Sequence, residues 1–284
     1  MIRRIVVTLA RNAGRAALLP ALRAGLPALL GVLLLAGCAG KKKDDIVPEK
    51  PVDVLYNHAQ DLMQQENYRD AAKAFEEVDR EHPYSEWATR AEMMTAYAYY
   101  MSNQYDDAIT AAKRYIELHP GNKDVPYAYY IVGICYYEQI SDIGRDQELT
   151  HKAMDAFNEL VRRFPDSDYA RDAKLKLDLA TDHLAGKEME IGRYYENRKD
   201  WVAAINRFRN VVEHYQTTTH VPEALERLVE CYLALGQPEE AQSAAAVLGY
   251  NFPGSDWYKR SYALLEGKNL TPQRGNRSWL SRLF

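Results

Sequence analysis

The chain has 284 residues, with 36 Lys and Arg against 40 Asp and Glu, which gives a formal net charge of −4 at neutral pH. This acidic balance argues against nucleic acid as a partner, because contact with phosphates needs a basic surface. Three cysteines are too few for a disulfide-stapled fold, whereas the length is ample for a hydrophobic core.

Residues 1–37 predict a cleaved lipoprotein signal peptide. They carry five arginines and no acid, and their apolar block, residues 24–37, stops at Cys38. This block is shorter than the about 20 apolar residues of a membrane span. Leu35-Ala36-Gly37-Cys38 resembles the bacterial lipobox, which implies an S-diacylglycerol and an N-palmitoyl group on Cys38 and a lipid anchor in the membrane. An ordinary signal peptide with an incidental cysteine is the alternative.

Residues 38–52 predict a flexible, lipid-anchored tether, because they mix lysines, aspartates and prolines without an apolar period. Ala39 after the cysteine, rather than aspartate, implies sorting to the outer membrane by the rule for such lipoproteins. Loss of the leader would move the net charge of the mature chain from −4 to −9.

A repeated spacing of aromatic, small apolar and proline residues follows, and we call it the frame. This repeat decides the fold. "NYRDAAKAFEEVDREHP" and "QYDDAITAAKRYIELHP" match position for position, and the frame recurs three more times. Its fixed alanines are Ala71, Ala108, Ala153, Ala204 and Ala241. Small or slim residues lie twelve positions upstream of four of these alanines, at Ala59, Ala96, Gly192 and Val229, and Gly133 takes the same place in repeat three, twenty positions upstream because of an insert. This tetratricopeptide pattern predicts an all-α solenoid of five helix pairs.

Two interruptions divide the predicted solenoid. An insert, Ser141 to Leu149, separates the two helices of repeat three, and an amphipathic stretch predicts one long helix from near Asp168 to Asn197 that leads into repeat four. We therefore expect an N-terminal half, residues 53–166, with repeats one to three, and a C-terminal half, residues 167–266, with repeats four and five.

The first helix of each pair in such a solenoid lines the concave surface, so the frame predicts a peptide-binding groove in repeats one to three. Tyrosine and methionine suit adaptable binding of apolar segments. The predicted groove residues are Tyr56, Met63, Arg90, Met93, Tyr97, Tyr100, Met101, Tyr127, Tyr130 and Tyr137. The alternative is that these side chains only pack between neighbouring repeats.

Two arginines of repeat four, Arg207 and Arg209, fall on outward positions, where a solvated face and a docking role are both open. The tail, residues 267–284, holds Lys268, Arg274, Arg277 and Arg282 and no acid. We interpret it as disordered when free, although it could fold on a partner or rest on an anionic surface.

No motif of the sequence indicates catalysis. His-Glu-x-x-His, a nucleophile elbow and a glycine-rich phosphate loop are all missing from it. We therefore expect no enzyme activity, no cofactor and no metal site.

Together, the lipobox, the five repeats and the recurring "HPYSEW", "FPDSDY" and "FPGSDW" resemble the BamD family, lipoproteins of the outer-membrane β-barrel assembly machine. The resemblance implies a scaffold that is anchored in the outer membrane and faces the periplasm. It would bind BamA, beside other Bam lipoproteins, through its C-terminal repeats and receive unfolded outer-membrane proteins through its N-terminal ones. The family's BamA-contacting arginine motif matches "WVAAINR", which gives that role to Arg207.

One alternative comes from cell-envelope coordination. Tetratricopeptide proteins of the Tol-Pal system share the "FPDSDY" type of repeat, but they normally lack the lipobox and the insert of repeat three. Depletion separates the two interpretations, because loss of an assembly scaffold lowers barrel-protein levels broadly, whereas loss of a coordinator gives division defects with barrels intact.

Overall fold

A computed structural model describes residues 50–273, 275 and 278–283. The predicted signal peptide and Cys38 lie outside these residues, as does most of the predicted tether. Within the described residues there are eleven α-helices, one 3₁₀ helix and no strand. None of these helices is both long and apolar enough to cross a bilayer.

The helices follow one another with short connections. In chain order they are α1 (Val52–Gln64), α2 (Tyr68–Glu81), α3 (Glu86–Met101), α4 (Tyr105–Leu118), α5 (Val125–Glu138), α6 (Glu148–Arg163), α7 (Asp168–Asn197), α8 (Trp201–His214), α9 (Val221–Ala234), α10 (Pro238–Asn251) and α11 (Asp256–Glu266). The predicted long helix, α7, and the predicted insert between α5 and α6 are both present.

Each helix packs on the next in the chain, and this gives the five predicted pairs. The first helices of successive pairs also pack on one another, α1 on α3 and α3 on α5, and α5 packs on α7. The fold is therefore the predicted all-α tetratricopeptide solenoid, with α11 as a further helix that packs against α9 and α10.

The fixed alanines of the frame form the contact between paired helices. All five are completely buried, and the aromatic rings of Phe75, Phe157 and Phe208 are buried beside them. A Cβ atom added at Gly133 or Gly192 would collide with the ring of Phe157 or Phe208. Small residues at these positions thus allow the close helix approach that the sequence predicts.

The recurring serine of "HPYSEW", "FPDSDY" and "FPGSDW" is a helix N-cap. The Oγ atoms of Ser85, Ser167 and Ser255 accept hydrogen bonds from the backbone N–H three residues later, at 3.0 to 3.1 Å. Each bond satisfies a backbone donor that the first turn of a helix leaves unpaired. The motif therefore marks where α3, α7 and α11 begin.

The described part of the tail lies against the last helices. Trp279–Arg282 forms the 3₁₀ helix, and Leu280, 1% exposed, belongs to the same core cluster as Leu248 and Leu265. Leu270 and Leu283 pack against this cluster as well. The apolar residues of the tail cover the end of the solenoid, and burial of such side chains offsets the cost of ordering the segment.

Candidate functional site

Part of the predicted groove forms an open pocket in the N-terminal half. The N-terminal pocket has a volume of about 580 Å³ and lies between α1, α3 and α5. Four predicted groove residues line it, Tyr56, Arg90, Met93 and Tyr127. Its rim also carries Lys123 and the carboxylates of Glu86 and Asp124, so the pocket combines aromatic and thioether surface with charged groups of both signs.

The aromatic floor of this pocket is held in place by ring contacts. The ring of Tyr56 lies 5.4 Å from that of Phe75 and 4.8 Å from that of Trp87. The guanidinium carbon of Arg90 lies 5.5 Å from the centre of the Trp87 ring. Met93 is only 6% exposed, so it contributes a surface at the bottom of the pocket rather than a protruding side chain.

Helix α7 closes one side of the predicted groove. Its Tyr169 lies 5.0 Å from the ring of Tyr127 and 5.6 Å from that of Tyr130, and Tyr97 lies 6.3 Å from Tyr127 on the other side. The hydroxyl of Tyr130 donates a hydrogen bond to Asp172. Burial raises the pKa of both the Tyr127 and the Tyr130 hydroxyl above the ordinary tyrosine value. These rings are therefore partly engaged within the fold.

Six predicted groove residues do not line the pocket: Tyr97 and Tyr130, described above, and Met63, Tyr100, Met101 and Tyr137. The ring centre of Tyr137 lies 6.2 Å from that of Phe157, and the Nζ atom of Lys176 lies 5.1 Å from the centre of the Tyr137 ring. Tyr100 lies 6.3 Å from Tyr105. Met63 packs against the core of the first repeat, and Met101 is half-buried at the end of α3. The structure thus does not bring all ten predicted residues into one groove.

A second open pocket contains both predicted docking arginines. The C-terminal pocket, about 490 Å³, is lined by Arg207, Arg209 and their neighbours Asn206 and Asn210 on α8, and by residues of α7. The Arg207 guanidinium lies 3.2 Å from the Glu188 carboxylate, and the Arg209 guanidinium lies 2.8 Å from that of Glu213. Both arginines keep more than a third of their side-chain surface exposed.

Sequence reasoning missed a contact that one of these two arginines makes with the tail. The guanidinium carbon of Arg209 lies 4.3 Å from the centre of the Trp279 ring. Trp279 is far from Arg209 in the chain, and no local pattern links the two. The only hint of such a contact in the sequence is that the basic tail also contains apolar residues. This composition is compatible with several partners.

An arginine surrounded by carboxylates lies on the inner side of α9 and was also not predicted. The guanidinium of Arg227 lies 3.2 Å from Glu196, 3.3 Å from Glu230 and 3.4 Å from Glu223. Burial raises the pKa of Glu196 to about 7, and that of Glu226, which is 2% exposed, to about 7 as well. This cluster links α7 to α9.

The described part of the chain holds no group of three His, Cys, Asp or Glu residues that is suited to a metal ion. Cys135 and Cys231 are buried and unpaired. Burial raises the pKa of the Cys135 thiol to about 12, so it stays protonated and unreactive at neutral pH.

Paired helices of this kind define the class of this protein, a tetratricopeptide-repeat protein. The TPR2AB-domain:pHSP90 complex of yeast Sti1 is a distant structural neighbour, with a TM-score of 0.40 and 14% identity over 77% of this chain and 86% of that one. The fold assignment rests on the helix pairs themselves rather than on this likeness.

Sequence relatives identify the family. The family model "YfiO: Outer membrane lipoprotein" matches residues 48–248. The outer membrane protein assembly factor BamD of Caulobacter vibrioides is 50% identical over 249 residues, which cover 87% of this chain and 82% of that protein. BamD of Rickettsia prowazekii is 45% identical over 85% of this chain and 96% of that protein. The chain belongs to the BamD family of outer-membrane protein assembly factors.

Proposed function

We propose that this protein is a lipid-anchored scaffold of the β-barrel assembly machine that binds BamA through the C-terminal pocket and unfolded outer-membrane proteins through the N-terminal pocket. Cys38 carries the anchor, and the folded body faces the periplasm beside the other Bam lipoproteins. The mechanism is binding and handover without bond chemistry.

One observation carries the BamA assignment: Arg207 and Arg209 line the same open pocket. Their guanidinium groups are held by the carboxylates of Glu188 and Glu213, yet both remain accessible. Exposed ion pairs of this kind contribute little stability, so a carboxylate on a partner can replace the internal one at low cost. Arginine is suited to this role because its planar guanidinium binds carboxylates in a bidentate geometry.

Reversal of the charge at Arg207 tests this assignment. Arg207→Glu places a carboxylate beside Glu188, which repels an acidic partner, and we expect affinity for the periplasmic part of BamA to fall roughly tenfold or more. The matched control is Arg162→Glu, which reverses another exposed arginine paired with a glutamate, on α6. Pull-down and titration against BamA measure the effect. Full retention of BamA by the Arg207→Glu variant would remove the assignment.

The N-terminal pocket suits an amphipathic segment that carries aromatic side chains. Tyr56, Met93 and Tyr127 offer apolar surface, while Arg90 and Lys123 offer donors at the edge. Unfolded outer-membrane proteins end in an aromatic-rich amphipathic strand, which such a surface can receive. Because Tyr130 and Tyr137 contact side chains of α7 and do not line the pocket, we place the substrate contact at the pocket itself, between α1, α3 and the first turn of α5.

Truncation of a pocket tyrosine tests the substrate assignment. We expect Tyr127→Ala to weaken binding of a peptide copied from the last strand of an outer-membrane barrel by about fivefold, because the ring supplies buried contact area. Tyr84→Ala is the control, since Tyr84 is fully exposed and lines neither of the two pockets. Fluorescence anisotropy with the labelled peptide measures both variants. Equal affinities for the two would contradict the assignment.

A further inference from the structure

We infer that the C-terminal tail is part of the partner-docking surface: Trp279 positions Arg209, and α8 thereby presents Arg209 beside Arg207 to an acidic face of a protein partner. This inference rests on the proposed role of the C-terminal pocket. It assigns a binding role to residues 268–283, which extend beyond the region matched by the family model.

The tail is fixed to α10 by a series of hydrogen bonds. The side-chain amide of Gln242 donates to the backbone oxygen of Thr271 at 2.7 Å, and the backbone N–H of Gly275 donates to the hydroxyl of Ser243 at 3.1 Å. Further along, the hydroxyl of Ser278 donates to the carboxylate of Glu240 at 2.6 Å. These contacts set the position of the residue that follows, Trp279.

Trp279 holds Arg209 from one side while Glu213 holds it from the other. The indole N–H donates a hydrogen bond to the hydroxyl of Tyr232 at 3.0 Å, which fixes the ring over the Arg209 guanidinium. A guanidinium stacked on an aromatic face keeps its N–H groups in the ring plane free for carboxylates. The stack therefore orients Arg209 beside Arg207 without blocking either.

The charge of the tail indicates the chemistry of the partner. Residues 267–284 contain one lysine, three arginines and no acid, although the chain as a whole has a net charge of −4. The contact between Trp279 and Arg209 joins this basic segment to the two arginines of α8. A basic surface on an acidic protein selects an acidic partner face and speeds its association.

A protein partner fits these contacts better than an anionic lipid surface does. Membrane binding by a short basic segment requires apolar side chains that are free to enter the bilayer. Here Leu280 is 1% exposed, and the Trp279 ring is engaged by Arg209 and Tyr232. The apolar residues of the described part of the tail are therefore already used within the fold.

The experiment measures affinity of the full mature chain for the periplasmic part of BamA. We expect Trp279→Ala to weaken it about fivefold, because Arg209 loses its orienting stack. Trp257→Ala is the matched control, since Trp257 packs against the same core cluster and lies under Arg260 at 4.8 Å, on α11. Thermal unfolding of both variants reports any general loss of structure.

A double-mutant cycle separates positioning from a merely structural role. If Trp279 acts through Arg209, the losses caused by Trp279→Ala and Arg209→Ala do not add, and the double variant binds like Arg209→Ala alone. Additive losses would overturn the inference. Trp279→Phe, which keeps a ring over Arg209, is expected to restore most of the affinity, and failure of this rescue would also count against it.

Two further measurements make the outcomes distinguishable. If Arg207→Glu loses BamA binding but Trp279→Ala keeps it, the role of the tail is overturned and the docking site stands. If Arg207→Glu keeps its binding, the proposed docking site itself is overturned. The lipid arm uses vesicles of phosphatidylethanolamine and phosphatidylglycerol. Vesicle binding that depends on Trp279, together with unchanged affinity for BamA, would assign the tail to the membrane and overturn the inference.

Discussion

Gly133 and Gly192 occupy the same place in two different repeats, each against the ring of a buried phenylalanine, Phe157 or Phe208. The frame of the sequence predicts a small residue at each position, because paired helices must approach closely there. It does not predict that Arg209 lies under Trp279, because a contact between segments that are distant in the chain leaves no trace in local periodicity. The sequence therefore predicts which type of residue stands at a helix contact, but it does not predict contacts between residues that are distant in the chain.

Gly192→Ala tests the close approach. Alanine normally stabilises a helix interior relative to glycine by about 1 kcal/mol, but here its Cβ would collide with Phe208. We expect overpacking to dominate and to lower the free energy of unfolding by about 1–3 kcal/mol, measured by urea denaturation. Gly186→Ala in the same helix is the comparison, since its Cβ would approach His220 Nε2 no closer than 3.3 Å. An equal effect in both variants would refute the explanation.

Helix α7 connects the two halves as one element. Its N-terminal end packs on α5 and α6, and its C-terminal end forms the fourth pair with α8. The sequence predicts its bounds because the stretch is amphipathic and Ser167 caps its first turn. The same reasoning does not reach residues 278–283, which have no helical or strand period of their own and pack against residues of α9 and α10. Elements with their own periodicity are predictable, and segments that depend on a neighbouring surface are not.

Removal of the cap of α7 should loosen the connection between the halves. In Ser167→Ala the backbone N–H of Ala170 loses its side-chain acceptor and keeps only the backbone oxygen of residue 167, and we expect a loss of about 1 kcal/mol in the free energy of unfolding. Hydrogen exchange should also speed up in the first turn of α7. Ser141→Ala, in the insert before α6, is the control. Unchanged exchange at residues 168–171 would contradict the capping role.

Across the whole molecule the chemistry of the two halves differs. The N-terminal pocket combines tyrosine and methionine side chains with polar and charged ones of both signs, whereas the C-terminal half holds the carboxylates around Arg227 and the arginines of α8. The order of repeats and the polar character of the second half are predictable from the frame. The number of groove residues that stay accessible is not, because α7 covers Tyr130 through Tyr169 and Asp172.

The buried carboxylates make stability depend on pH. The pKa of Glu226 rises from 4.5 to about 7 on folding, so the folded state holds the proton more tightly and stability falls as pH rises from about 4.5 to 7. Glu226→Gln stays neutral, and we expect it to be about 1–2 kcal/mol more stable than the parent at pH 8 but equally stable at pH 4. Urea denaturation at both pH values measures this, with exposed Glu117→Gln as the control. A gain of the same size at pH 4 would disprove the titration account.

The buried position of Leu265 and Leu280 sets a limit on how far the chain can be shortened. A fragment trimmed to residues 48–248, the span of the family model, would lack both leucines and leave Val247 and Leu248 uncovered at the last turn of the solenoid. Repeat arrays need a finishing element with a polar outer face to stay soluble. We expect such a fragment to aggregate in solution. Helix α11 and the 3₁₀ helix Trp279–Arg282 therefore act as the capping element that keeps the solenoid soluble.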